Sequence, residues 1–228
     1  MVHDGALRAA LPAAGTENAW RRHTLAALAR RTGEELTVAL DNRRRAQVDV
    51  AAFGHPFSSV LADDVRRLLG HSGIGSRPSA SDGRQLQVLV GVGEPRRDLV
   101  DPFLRSGTPY LVVRLVEGAA LLGPFVVPGE TACLRCVDAY LTERDPAWPL
   151  LVEQYARASA RDRPDGIPEP VDVALAAVAV GWTARDAATY AEGERPSTWS
   201  TTVRLSPRLD DVEVQSWPPH PHCGCAWV

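Results

Sequence analysis

The residues of this chain best suited to chemistry are four cysteines that form two close pairs. Two residues separate Cys133 from Cys136, one residue separates Cys223 from Cys225, and the chain has no further cysteine. Four thiolates in two such pairs suit a tetrahedral Zn²⁺ ion with Zn–S bonds of about 2.3 Å. Because four thiolates leave no open coordination position, the pattern predicts a structural zinc that pins the C-terminal tail to an earlier segment.

Two other interpretations of these cysteines stay open at the level of sequence. The thiols could form disulfides or remain free in the core, although a cytosolic chain disfavours disulfides. His220 and His222 lie close enough to the second pair to replace one cysteine, as in mixed Cys/His structural sites.

The chain offers little for nucleotide or covalent chemistry. All 25 Lys+Arg residues are arginine, which removes a phosphate-binding lysine, a Schiff-base lysine and a lysine base. Gly54 follows one predicted strand, and Gly91 and Gly93 follow another, but neither turn has the three glycines of a dinucleotide-binding loop. We therefore predict no catalytic and no cofactor-binding residues.

Several charged residues could bind ions but have simpler explanations. Glu94, Asp98 and Asp101 could hold a metal or act as bases, and we interpret them as surface acids because carboxylates are mostly exposed. The arginine run at 43–45 is interpreted as a solvated helix end, where cations suit the negative pole of the helix dipole.

The elements that must position these residues alternate between strands and helices. Apolar runs predict strands at 47–53, 86–92 and 110–116, separated by helices at 57–69 and about 96–106. This alternation is typical of a parallel, Rossmann-like sheet. Glu117-Gly118 then predicts a hairpin, so the sheet turns antiparallel. The remaining predictions are a loop at 70–83, a strand at 120–127, a helix at about 135–142, a connector at 161–170, a buried helix at 171–190, and strands at 198–205 and 212–217.

Length and composition favour one domain and exclude some partners. A chain of 228 residues with 45% hydrophobic content can bury one sizeable core. We predict an N-terminal helical lead-in at 1–45, containing two amphipathic helices, and one zinc-binding α/β domain at 46–228. The net charge of -3 and the absence of a basic stripe argue against a nucleic-acid partner. No secretory signal and no membrane-length apolar run is found, so a cytoplasmic location is predicted.

Four segments of the chain together form a recognisable combination. They are 107–111 (Gly-Thr-Pro-Tyr-Leu), 123–136 (beginning Gly-Pro-Phe-Val and ending Cys-Leu-Arg-Cys), 144–149 (Arg-Asp-Pro-Ala-Trp-Pro) and 220–225 (His-Pro-His-Cys-Gly-Cys). In combination they resemble the E1-like superfamily, whose best-known members activate ubiquitin-like proteins. Within it, they resemble the bacteriocin-type, cyclodehydratase-associated E1-like proteins of azoline-peptide biosynthesis, over about residues 20–228. The resemblance implies an α/β fold with a Rossmann-like E1-type mixed sheet, flanking helices and a zinc site made by the four cysteines.

The resemblance also implies a function. Such E1-like proteins typically engage a precursor peptide and deliver it to a YcaO-type cyclodehydratase, which uses ATP to convert Cys, Ser or Thr into azolines. Many full-length members carry an N-terminal winged-helix domain, and residues 1–45 are too few to hold one. Dimers are common in the superfamily, so a homodimer is expected.

Three functional hypotheses follow. Adenylating E1 enzymes need a glycine-rich loop and a lysine, so the leading hypothesis is a non-catalytic, zinc-stabilised scaffold that binds a precursor peptide or a YcaO-type enzyme. The second is an adenylating enzyme that uses arginines alone, and the third is a regulatory interaction module outside peptide maturation.

Overall fold

The centre of the fold is a six-stranded mixed sheet whose strands lie in sequence order. The computed structural model describes residue 15 and residues 19–28, 33–75 and 83–225. Strands β1 to β3 pair in parallel, and β3 to β6 pair antiparallel. The strands are β1 (Gln47–Gly54), β2 (Gln85–Val92), β3 (Tyr110–Val116), β4 (Ala119–Val126), β5 (Thr201–Leu205) and β6 (Val212–Ser216).

Helices cover both faces of this sheet, which confirms the predicted fold class. A 3₁₀ turn at Arg97–Leu99 precedes the short helix between β2 and β3. The helices in the described ranges are α1 (Ala19–Ala27), α2 (Gly33–Arg45), α3 (Ser58–His71), α4 (Asp101–Ser106), α5 (Leu134–Arg144), α6 (Trp148–Ala158) and α7 (Val173–Ala191).

The change from parallel to antiparallel pairing occurs at the predicted hairpin. Val116 pairs with Ala119 across a two-residue turn. Glu117 and Gly118 have φ of 50° and 77°, as the favoured type I′ hairpin turn requires at both central positions. The prediction of a hairpin at this position is therefore confirmed.

The larger core lies between the sheet and helices α3 and α7. Helix α7 buries a row of small side chains against β3 and β4, so a long alanine-rich helix can approach the sheet closely. Its N-terminus is capped by Asp172, whose carboxylate accepts the Leu175 amide at 2.9 Å. The predicted buried helix is confirmed.

The opposite face carries α4, α5 and the C-terminal tail. Leu89 and Val112 point to this face, whereas their neighbours in β2 and β3 point to α3 and α7. Both parallel crossovers advance the same way across the sheet, yet α3 and α4 lie on opposite faces. One of the two crossovers is therefore left-handed, against a rule that holds in about 98% of such units.

The structure departs from the sequence-based prediction in two elements, one helix and one strand. Helix α6 was not predicted, although Pro149 at its first turn is a favourable start. Strand β5 begins at Thr201; before it, the Thr198 amide and hydroxyl donate to Asp186, and only an isolated bridge joins Trp199 to Phe125 of β4. Most of the predicted lead-in before residue 19 and part of the loop at 70–83 lie outside the described residues.

The interpretation of the arginine run at 43–45 as a solvated helix end is wrong for Arg43. Its side chain is 2% exposed, and its Nε donates to Glu192 Oε1 at 2.8 Å. Its NH2 also donates to the same oxygen, and its NH1 donates to the Ser72 carbonyl at 2.7 Å. Arg43 therefore joins α2 to the ends of α3 and α7, and a buried guanidinium persists there because a buried carboxylate faces it.

No helix among the described residues is long and apolar enough to cross a bilayer.

Candidate metal centre and the adjoining pocket

The four cysteines come together at the start of α5. Cys133 is the N-cap residue of this helix, and Cys136 lies in its first turn. Cys223 and Cys225 follow β6, after Trp217 has been fixed by bonds from its amide to the Ser200 carbonyl at 2.8 Å and from its indole to Thr202 at 3.0 Å. The tail thus returns to α5 as the sequence predicts.

The distances between the sulfur atoms fit one tetrahedral metal ion. The Sγ atoms of Cys133 and Cys136 are 3.7 Å apart, those of Cys133 and Cys223 3.5 Å, and those of Cys136 and Cys225 3.3 Å. All four lie within 4.8 Å of one another. A tetrahedron with Zn–S bonds of about 2.3 Å has edges of about 3.8 Å, so the donor set fits Zn²⁺.

The surroundings of the cluster favour one thiolate in particular. A hydrogen bond from the Cys133 thiol lowers the pKa of Cys136 to about 5, and the His220 amide also donates to that sulfur at 3.3 Å. Hydrogen bonding to Cys136 and burial raise the pKa of Cys133, and burial raises the pKa of Cys225 to about 12. Four simultaneous thiolates in this space need a cation to compensate their charge.

The two histidines lie beside the sulfur cluster. Nε2 of His220 is 2.9 Å from Oε1 of Glu143, and the ring packs edge-on against Tyr140 at 4.6 Å between centroids. The His222 amide approaches Nδ1 of His220 at 3.2 Å. Among the described residues, the only grouping that could hold a metal ion consists of the four cysteines.

The crevice at the carboxyl ends of β1 and β2, where open α/β sheets bind ligands, is covered by the chain itself. A Cβ built on Gly93 would lie 2.1 Å from Oγ of Ser159, so the end of α6 packs onto this glycine. Nε2 of His55 lies 3.0 Å from Asp162, which ties the turn after β1 to the connector. The cavity between His55 and Ser159 has a volume of about 180 Å³, below the roughly 300–1,000 Å³ of ordinary ligand pockets.

The interpretation of Glu94 as a surface acid is wrong. Its carboxylate is 6% exposed and accepts from Arg114 NH1 at 2.9 Å and from Arg97 NH1 at 3.0 Å. Arg97 also binds Asp138 through Nε at 2.6 Å. Burial lowers the pKa of Arg97, but Asp138 and Glu94 outweigh it and raise this pKa overall. The Glu94 carboxylate is therefore bound by two arginine side chains.

The other two acids occupy different settings. Asp98 is exposed and pairs with Arg96, and Asp101 binds Arg135 at 2.8 Å on α5. The three acids do not converge on one point, and none belongs to the possible metal-binding group among the described residues.

An apolar pocket of about 470 Å³ opens between α6 and the sheet. Its floor is Val116, Ala119 and Leu121, and Trp148, Leu151, Val152 and Tyr155 of α6 form its roof. The indole of Trp148 donates to Asp138 at 2.9 Å, and the Tyr155 hydroxyl donates to Glu169 at 2.9 Å. Sequence reasoning missed this pocket because it missed α6.

The fold and the cysteine cluster define this chain as an α/β domain with a six-stranded mixed sheet and a candidate metal centre. It is similar to the heterocyclase TruD, with 16% identity and a TM-score of 0.63 over 84% of this chain. A heterocyclase in complex with substrate and cofactor gives 17% and 0.63 over 86%. E. coli MccB gives 15% and 0.58 over 84%. These similarities confirm the resemblance at the level of the fold.

The similarities cover different shares of the known proteins. The chain spans 28% of the length of the heterocyclases and 68% of MccB. No family model matches the sequence, and no curated protein matches it. These similarities therefore establish the fold of the chain and do not establish its activity.

Proposed function

We propose that the chain is a zinc-stabilised, E1-like binding protein of modified-peptide biosynthesis, which holds a precursor peptide and does not adenylate it. The observation that carries this proposal is a covered nucleotide crevice beside an open apolar pocket. Ser159 and Asp162 cover the carboxyl ends of β1 and β2, so a triphosphate would have to displace α6 and the connector.

The pocket is suited to an apolar side chain of an extended peptide. Its lining is mainly aliphatic and aromatic, and hydrogen bonds fix Trp148 and Tyr155 through their polar atoms. Glu117 and Arg204 also line the pocket and supply charges for a peptide backbone or terminus. E. coli MccB has been solved with MccA, and the microcin C7 biosynthetic enzyme MccB with N-formylated MccA, which supports a peptide as the ligand class.

Zinc has a structural role in this proposal. Cys133, Cys136, Cys223 and Cys225 would hold it, and the bound ion would cross-link α5 to the tail and neutralise the thiolates. The similarity to heterocyclases and the sequence motifs support a YcaO-type cyclodehydratase as the partner that modifies Cys, Ser or Thr of the peptide.

Nucleotide binding is the first test. Native mass spectrometry, with and without ATP and magnesium, should show one zinc per chain and no nucleotide adduct. ATP–pyrophosphate exchange with peptide present should stay at the background of a reaction without protein. A nucleotide adduct together with exchange would replace the proposal by an adenylating enzyme.

Peptide binding is the second test and uses two neighbouring leucines. Labelled peptides selected by display on the wild-type chain are titrated against Leu151→Asp, which places a charge in the pocket. Leu150→Asp is the matched control, because Leu150 is 61% exposed on the same helix and does not line the pocket. We expect Leu151→Asp to weaken binding at least about tenfold, the effect of losing about 1.4 kcal/mol of apolar contact, and Leu150→Asp to leave it unchanged. Equal affinities for both variants would place the peptide elsewhere.

A further inference from the structure

The last strand of the sheet has an edge that no described residue covers. All five residues of β6 are exposed, with Val212 at 51% and Val214 at 65%. Among the described strands, only β5 pairs with β6. The strand contains no proline, glycine or lysine, and its register with β5 is continuous. It therefore lacks the proline, lysine and bulge that commonly block an open edge, and its one charged residue is Glu213.

The register identifies the backbone groups that point to the open edge. Two bonds flanking the β5–β6 ladder define its alternation, namely Ser206 N to Asp211 O at 3.1 Å and Trp217 N to Ser200 O at 2.8 Å. Hydrogen-bonded pairs alternate along an antiparallel ladder, so Glu213 and Gln215 direct their N–H and C=O groups to β5. Val212 and Val214 therefore direct theirs away from the sheet.

Apolar side chains lead across the sheet to this same edge. Two cross-strand rows run from β4 through β5 to β6, namely Leu122, Val203, Val214 and Ala120, Leu205, Val212. The members on β4 and β5 are buried, and those on β6 are exposed. A further strand with apolar side chains at alternate positions would extend both rows and cover the two valines.

Hydrogen bonds within the chain fix both ends of strand β6. The hairpin fixes its start, where the Ser206 hydroxyl bonds to Asp210 at 2.7 Å. Trp217 fixes its end through the bonds described above, and the cysteine cluster lies only a few residues further along the tail. An edge ordered in advance costs a partner little conformational entropy.

We propose that β6 accepts an extended segment of the precursor peptide by strand addition, with apolar side chains beside Val212 and Val214. The proposal rests on the proposed function, because it assigns a second contact to the same peptide. Arg204, which lines the pocket, pairs with Glu213 across the β5–β6 ladder. Leu121, Arg204 and Glu213 form a cross-strand row on the pocket's face of the sheet, opposite Val212 and Val214, and β6 lies one strand, about 4.8 Å, beyond Arg204. A peptide that occupies both sites would therefore pass over the outer edge of β6.

A second copy of the chain fits this edge less well than a peptide. Five residues give a contact only about 17 Å long and one strand wide. Two copies joined along it alone would bury far less than the roughly 1,000 Å² of a stable interface. A peptide that also fills the pocket adds the contact area that the edge alone lacks.

Proline at position 214 provides the test. Val214→Pro removes an outward N–H without removing a β5–β6 hydrogen bond, and proline is tolerated on an edge strand in that orientation. Val214→Thr is the matched control, because it keeps the N–H and the β-branched shape. Both variants, Leu151→Asp and the wild type are titrated with the selected labelled peptides, and their melting temperatures and masses in solution are recorded.

We expect Val214→Pro to weaken binding at least about tenfold, with Val214→Thr close to wild type. If Leu151→Asp weakens binding and Val214→Pro does not, strand addition is wrong and the proposed function stands. If neither variant weakens binding, both proposals are wrong. A wild-type dimer that Val214→Pro converts to a monomer would identify the edge as a self-interface and overturn the proposal.

Amide hydrogen exchange keeps the test decisive if Val214→Pro does not fold. In the wild type the Val212 and Val214 amides should exchange rapidly when free and become protected when the selected peptide is added. The Glu213 amide, which points to β5, should be protected in both states. Unchanged exchange at Val212 and Val214 in the presence of a saturating peptide would refute strand addition.

Discussion

The carboxylate of Glu94 is the buried charge whose removal tests the structure most sharply. Glu94→Gln keeps the shape and removes the charge that faces Arg114, whose side chain is 4% exposed and whose Nε has no hydrogen-bond partner among the described residues. Leaving one member of a buried ion pair alone costs about 3–5 kcal/mol. For a chain of this length that corresponds to a fall in Tm of about 6–20 °C.

The double variant Glu94→Leu with Arg114→Leu separates loss of a charge from loss of shape. Replacing both charges by apolar groups is commonly neutral or stabilising, and Arg97 keeps its bonds to Asp138. We therefore expect the double variant to unfold in urea within about 1 kcal/mol of wild type, well above the single variant. A single variant as stable as wild type, or a double variant no better than the single, would refute the described network.

The remaining predictions concern the metal centre, the α2–α7 junction and the crevice. A zinc chelator, or Cys136→Ser, should lower Tm, and the loss of unfolding free energy should be smaller than the roughly 10 kcal/mol of small zinc modules, because the sheet has its own core. An unchanged Tm would contradict a structural metal. Glu192→Gln should cost about 3–5 kcal/mol in urea unfolding, whereas the exposed Arg67→Gln should change stability by less than about 0.5 kcal/mol. Gly93→Ala should destabilise by more than about 1 kcal/mol, since φ is +91° and Ser159 occupies the space. Adding Ser159→Gly should recover part of that loss, and no recovery would argue against this contact.

Much of the fold could be predicted from local pattern. Apolar runs mark β2 to β4, because a strand covered on both faces needs apolar residues on both sides, whereas the edge strand β1 alternates buried and exposed positions. The hairpin at Glu117-Gly118 follows from the turn residues themselves. The cysteines follow from spacing, since two close pairs and no other thiol leave few arrangements.

The covered crevice could not be predicted from local pattern. It depends on α6, whose outer surface is largely exposed and whose apolar positions face a pocket instead of a continuous core. Gly93 has the spacing of a glycine turn, yet its neighbour in space is Ser159, far along the chain. The same glycine can admit a phosphate or a side chain, and only packing decides which.

The sequence by itself determined which residues form the sheet, which cysteines can meet, and that a lysine-dependent phosphate site cannot exist in this chain. Tertiary structure alone decided the burial of charge. Arg43 and Glu192 are 149 residues apart in sequence and meet in the core. Glu94 is buried because Arg114 and Arg97 reach it. A charge can leave water only when a partner compensates the lost hydration, and that partner is brought by the fold instead of by neighbours in the chain.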